Sequence, residues 1–313
     1  MIDKAIYAHL CANSELSTLL TRYAGKPAIF HQEAPADTDP LWANGPQYGR
    51  LIFALDVQND PARKMGGSLS IDVQCESGKQ LPETYEPLVR SLVDGYFFTD
   101  EGHTMAAQWV DSRYFSEPNE QINGVTLLFE LLAIPMRTTV NPDVIERLNE
   151  WTALSFPKIV VLNREVPAAA WKPSEENPAI YWRVHQVQPA GWIPDTHQTI
   201  WRTAVVMGHV FAVDGNAAAE LADQIVQKLY YDRRLLRQGE SPIMVDRNNS
   251  IDMGADALRT GQITVEATYG VIVYRKLDNL LNHIYYVWKQ RGVQNGTGTR
   301  TESLSGTGEE TDE

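Results

Sequence analysis

Apolar residues along this chain change period repeatedly, and the order of those changes is met twice. Leu69, Ile71 and Val73 alternate with Ser70, Asp72 and Gln74, the two-residue period of a strand with one buried face. From Leu81 onward Tyr85, Leu88, Val89, Leu92, Val93 and Tyr96 recur at helical spacing, with Pro82 or Pro87 near the first turn. Apolar runs over Ala28–His31, Arg50–Val57, Ala106–Tyr114 and Gly124–Pro135 predict further strands. At the start, Ile2, Ile6, Leu10, Leu16, Leu19, Leu20 and Tyr23 predict an opening helix. It is broken or capped near Asn13-Ser14 and ended by Gly25 and Pro27. The connection 32–48, with Pro35, Pro40 and Pro46, reads as an exposed loop, Gln58–Gly67 and Glu117–Asn123 as turns. The first stretch is therefore α-β-β-β-α-β-β.

The second stretch follows the same order. A helix is expected over Asn141–Leu154, with Asn141-Pro142 as N-cap and first helical residue. Strands follow at 159–163, 180–188 and 200–212. Ala217–Tyr231 then places Leu221, Ile225, Leu229 and Tyr230 on one stripe, after Asp214 or Gly215. Strands at 242–252 and 260–275 complete it. Segment for segment, Leu69–Cys75 answers to Thr203–Val210, 83–98 to 217–231, and Val125–Ile134 to Ile263–Val273. The offset grows only from about 130 to about 138 residues, the sign of an internal repeat. The expected fold is α+β: two tandem copies of a small domain, helices packed on an antiparallel or mixed sheet. The copies span 1–138 and 139–291. The second gains a terminal helix over 277–290, and Gly292–Glu313 reads as a disordered acidic tail.

Composition narrows the function classes. With 313 residues and 43% hydrophobic content, two ordinary cores are affordable. A net charge of −13 argues against gripping nucleic acid through its phosphates, though not against surrounding it. The Met1–Cys11 start lacks a signal-peptide pattern, and no apolar run is long enough to span a membrane. Cys11 and Cys75 make no disulfide framework.

Chemistry-bearing motifs are weak. His9 and Cys11 point to different helix faces, and His185, His197 and His209, twelve apart, lack any accompanying ligand motif. Met65-Gly66-Gly67-Ser68 precedes a strand and reads as a hairpin turn, not a phosphate loop. No nucleophile elbow or triad signature occurs, so no catalytic, cofactor or metal residue is assigned. Two surface features remain. Trp42 and Trp171 sit in the long connections, where tryptophan can anchor a partner or pin its own loop. Arg233, Arg234 and Arg237 follow the second helix, where they suit its C-terminal dipole or an acidic neighbour. The first stretch has Thr99-Asp100-Glu101 there instead.

The order helix, strand, long Pro-rich loop, two strands, helix and closing hairpin resembles the tail-terminator or tail-completion (neck) proteins of tailed bacteriophages. Ala28–Leu55, Leu69–Phe98 and Val125–Pro135 carry the resemblance in the first stretch. Ile159–Val187, Thr203–Tyr231 and Ile263–Tyr274 carry it in the second. The resemblance implies a non-enzymatic virion protein without cofactor, a ring that joins tail tube to head completion proteins while DNA passes through. Two copies per chain leave a trimer or a hexamer open. A head-closure or baseplate adaptor is the alternative expectation. A two-domain cytoplasmic enzyme or ligand-binding protein is another, marked by an inter-domain cleft lined by the loop tryptophans and a histidine.

Overall fold

Residues 69–76 keep the alternation the sequence predicts: Leu69, Ile71, Val73 and Cys75 are buried, while Ser70, Asp72 and Gln74 are less so. This strand belongs to a computed structural model that describes residues 2–42, 47–57, 66–117, 121–134, 142–162, 164–165, 167–196, 198–236 and 241–273. The expected turn at 58–65, the Asn141 cap, His197, Arg237, the 277–290 helix and the 292–313 tail lie outside those residues.

The chain is an α+β protein whose described residues fall within one unit, Met1–Val273. Its first half runs α1 (Ile2–Ala12), α2 (Ser14–Leu19), β1 (Arg22–Tyr23), β2 (Lys26–Pro27), β3 (Ile29–His31), β4 (Arg50–Val57), β5 (Gly67–Glu76) and α3 (Pro82–Val93). It ends with β6 (Phe97–Asp100), β7 (His103–Glu117) and β8 (Ile122–Ile134). The second half runs α4 (Val144–Ser155), β9 (Val160–Val161), β10 (Ala170–Trp171), β11 (Ala179–Pro189), β12 (Thr199–Phe211) and α5 (Gly215–Asp232). It ends with β13 (Arg234–Leu235), β14 (Ile243–Val245), β15 (Ser250–Ile251) and β16 (Ile263–Ile272).

The first sheet is ordered β3-β4-β5-β8-β7-β6, with β10 added outside β6. The second is ordered β9-β11-β12-β16-β14-β13. In the first, β3 lies parallel to β4, in the second β9 lies parallel to β11, and the remaining neighbours along these orders are antiparallel. In each, the strand after the second helix forms the opposite edge. β14 and β15 both pair with β16 and together take the place that β7 has beside β8. The sheets are curled, so that α1 touches both β3 and β6, and α4 touches β9, β11 and β13. The opening helices thus close the mouth of each curl and complete its core.

Ile6 and Leu10 of α1, Tyr85 and Val89 of α3, and Phe53, Ile71, Leu127 and Phe129 of the strands form the first core. Leu148 and Trp151 of α4, Ile225 and Leu229 of α5, and Ile180, Trp182, Val206 and Val265 form the second. Trp182 is fully buried and donates its Nε1 hydrogen to Thr152 Oγ1 at 3.0 Å. Its ring lies against Gly208 on the neighbouring strand, where a Cβ would meet it at 2.4 Å. Glycine is needed there for close approach.

Several expectations change. The break expected near Asn13-Ser14 is present, since Asn13 accepts from Leu16 N and caps α2, but the helical path ends at Leu20 and not at Gly25 and Pro27. Residues 22–27 are a hairpin instead, turning at Ala24-Gly25, both at positive φ, the backbone a tight two-residue hairpin turn requires. Gly67 is not a turn residue: it begins β5, between Val57 and Leu131. Tyr96 lies beyond α3, which ends at Val93, and the next residues form β6, absent from the predicted order. The cap of α4 is Asp143, which accepts from Ile145 N and Glu146 N. The strand expected over 242–252 is split, because Asn249 Oδ1 takes the Glu266 N–H and Asp246 Oδ2 takes the Thr268 hydroxyl. Tyr230 is off the buried stripe of α5, which consists of Ala218, Ala222, Ile225 and Leu229.

Gly208→Ala should destabilise the protein by about 1–3 kcal/mol, the usual cost of overpacking, without changing far-UV circular dichroism. Urea titration of both proteins measures it.

Candidate functional site

Strand edges organise the surface of this molecule. An open edge leaves N–H and C=O groups available for another strand. The β6 edge is covered from within the chain. In the long connection between β9 and β11, Ala170 pairs with Phe98 and Trp171 with Phe97, antiparallel. Thr99 N–H donates to Ala169 O at 3.0 Å. Side chains fix the added strand: Trp171 lies 5.6 Å from the Phe97 ring, which meets Phe211 edge-on at 5.1 Å. Lys172 Nζ donates to Asp94 O at 2.8 Å and sits 5.4 Å from the Tyr96 ring. Behind this edge Phe97, Ala106 and Ile134 of the first sheet share an apolar cluster with Leu162, Tyr181 and Phe211 of the second. An ion pair between Arg259 and Glu130 adds a third tie.

Trp42 holds the same place in the first half. Ile180 pairs with Val161 as Leu51 pairs with Ile29, and each tryptophan stands nine residues before that strand residue. Yet Trp42 is buried against its own half. It bridges to Tyr23 of the small hairpin, donates Nε1–H to Ala36 O at 3.1 Å, and lies 5.0 Å from Tyr23 and 5.7 Å from Phe30. The second half lacks a hairpin like residues 22–27: α4 ends at Ser155 and β9 begins at Val160. Trp171, without that partner, docks on β6. The signal in the sequence was this difference in length between helix and strand, together with the aromatic pair Phe97-Phe98.

β13 occupies in the second sheet the position of β6 in the first, and among the described residues no strand lies outside it. Arg233 ends α5 in a left-handed conformation and stacks over Tyr230 at 5.2 Å. Arg234 is exposed on β13, Leu235 is buried beneath it, and Leu236 is 73% exposed. Tyr231, 83% exposed, stands beside them. Trp171, Arg233 and Arg234 therefore lie at strand edges, whereas Trp42 is an internal pin.

The histidines and cysteines take structural places. His9 Nε2 bonds Leu92 O at 2.9 Å, and His185 is exposed on the bulged part of β11. Burial pushes the Cys75 thiol up to about 12, which keeps it protonated and unreactive. Among the described residues no three His, Cys, Asp or Glu side chains are grouped to hold a metal. His209 is buried: Arg183 Nε donates to its Nε2 at 2.7 Å, so Nδ1 carries the proton and donates to Ala257 O at 2.6 Å. Burial pushes its pKa down to about 4, aided by Arg183 and opposed by the Ala257 bond and Asp256.

A cleft of about 530 Å³ lies between the halves, lined by Asp94, Phe97, Lys172, Phe211, Asp214 and Gln262 among others. Its lining among the described residues includes no tryptophan and no histidine. Asp94 accepts from Trp109 N, Asp214 caps α5, and Gln262 clamps both backbone groups of Val210. These polar groups hold backbone. Comparison with known proteins finds no matching family model and no significant relative among curated proteins.

Acid should act through His209. The unfolded histidine protonates near pH 6.5, whereas the folded one resists to about 4. Its stabilising contribution is full above pH 6.5 and falls, by about 3 kcal/mol in all, as pH drops toward 4. Urea titrations from about pH 7 to about pH 4.5 read this slope, and His209→Gln should flatten it. An unchanged slope would assign the acid sensitivity to other groups.

Proposed function

We propose that this chain is a structural virion protein of a tailed bacteriophage. In this reading it is a tail-terminator or neck component that forms a ring between tail tube and head, with DNA passing through the lumen. The halves, 1–138 and 139–291, are then two copies of one α+β domain. The matching strand orders, each with one parallel pair at the same edge, support that duplication.

The observation that carries the reading is the addition of β10 to β6. It joins a loop of one half to a sheet edge of the other, so the two surfaces in contact are unlike. Contacts of this heterologous kind, repeated between chains, close into a ring when the rotation is right. A net charge of −13 suits a lumen that repels phosphates and lets DNA slide. Three chains would give a pseudo-sixfold ring of domains, and six would give one copy inside and one outside. The ligand-binding alternative draws little from Asp94, Lys172, Asp214 and Gln262, which already hold backbone, whereas Gln108 Oε1, buried in the same lining, has no partner of its own.

Negative-stain imaging of the purified full chain, with native mass on the same sample, tests the proposal. The expected result is a closed ring of three or six chains with a hole wide enough for duplex DNA. A monomer at every concentration, with a small molecule protecting the cleft from hydrogen exchange, would overturn it.

A further inference from the structure

The cleft between the halves, at about 530 Å³, falls within the size range of small-molecule sites, which favour the junctions of domains. Phe97 of the first sheet, Phe211 at the end of β12 and Leu258 of the 252–262 segment give it apolar walls. Val213 and Met253, 51% and 59% exposed, also line it. Small side chains at Ala106, Ala218 and Ala257 leave space that larger ones would fill. Among the described residues five polar side chains reach the lining: Asp94, Gln108, Lys172, Asp214 and Gln262. Four of them are engaged with backbone. Asp94 Oδ1 accepts from Trp109 N, Lys172 Nζ donates to Asp94 O, Asp214 Oδ1 accepts from Ala217 N, and Gln262 holds both backbone groups of Val210. Gln108 is the exception: its Oε1 is buried and has no hydrogen-bond partner among the described residues. A buried carbonyl left unpaired costs stability, and an apolar side chain at this place on β7 would avoid that cost. Gln108 is half-buried, so rotation about its terminal torsion, which is broad in glutamine, turns the carbonyl toward the cleft. The lining sets the Asp94 and Asp214 carboxylates against Lys172 and the positive end of α5, so neither an anion nor a cation is favoured.

We propose that this cleft binds a small, neutral aromatic molecule that carries an N–H or O–H group. Its apolar body lies against Phe97, Phe211 and Leu258, and its hydrogen is donated to Gln108 Oε1. The aromatic body suits the apolar walls, and neutrality suits the balanced charge. The donor follows from the single polar group of the lining that the protein leaves unused. Because Phe97 and Gln108 belong to the first sheet and Phe211 and Leu258 to the second half, the bound molecule ties the halves together. This site goes beyond the ring reading and does not rest on it.

Titration of the purified full chain with indole, benzofuran and indene tests this, with affinity read by calorimetry and location by hydrogen exchange. The three probes share one shape and differ at one position, which holds a donor, an acceptor or neither. Indole should bind about tenfold more tightly than the other two and slow exchange in both 94–108 and 210–219. Gln108→Leu should abolish the preference for indole while indene still binds. It should also raise the urea midpoint of the free protein, since the unpaired carbonyl is gone. Benzofuran binding as tightly as indole would overturn the proposal, because the group that meets the ligand would then not be an acceptor. Equal binding of all three probes, the result expected where water already satisfies Gln108, would overturn it too. So would protection confined to residues outside the cleft, or no binding at all. A ring that binds no probe removes this site and leaves the ring reading standing. A monomer at every concentration that binds indole in the cleft removes the ring reading and keeps the site.

Discussion

An unpaired strand edge is the constraint on which the arrangement of this molecule depends. Every curled sheet that is not a closed barrel has two edges, each with backbone groups seeking partners. In the first sheet the edge after the second helix is covered by a two-residue strand borrowed from the other half. Two residues provide little ladder, so the side chains must hold it. Phe97 is the centre: its backbone pairs with Trp171, and its ring touches both Trp171 and Phe211. Residues from β9, β11 and β12 reach the same apolar cluster. The second half is held at that edge, with the Arg259–Glu130 ion pair as a further tie.

Much of the framework is legible in the sequence because it is written in periodicity. The alternation of 69–75, the run 50–57 and the stripe of α5 name their elements without outside help. Short edge strands are written nowhere locally. Phe97–Asp100, Arg234–Leu235 and Ala170–Trp171 are too brief for a period to show, and β6 owes its outer pairing to residues more than seventy positions later. The hairpin at 22–27 hides for a similar reason, since its apolar residues continue the spacing of the preceding helix. The site was half legible. Trp42 and Trp171 look alike as loop tryptophans, and only the hairpin separates them, by giving Trp42 a partner at home.

The buried polar groups divide along the same lines. His209 accepts from Arg183, which also reaches the carbonyls of Arg259 and Thr260, and Arg259 itself crosses to Glu130 of the first sheet. A neutral imidazole is the species that fits, because one nitrogen must accept while the other donates. The segment 252–262 is thereby fixed to β11 and β12 on one side and to β8 on the other. The histidine belongs to the joint between the halves, and its chemistry is that of a spacer with a donor and an acceptor.

Charge makes the two edges non-interchangeable. The loop that covers β6 brings Lys172 to a carbonyl and an aromatic face. On β13 the same lysine would meet Arg233 and Arg234, and like charges placed together cost affinity. The loop that carries Lys172 is therefore suited to the edge of the other half and opposed by the edge of its own.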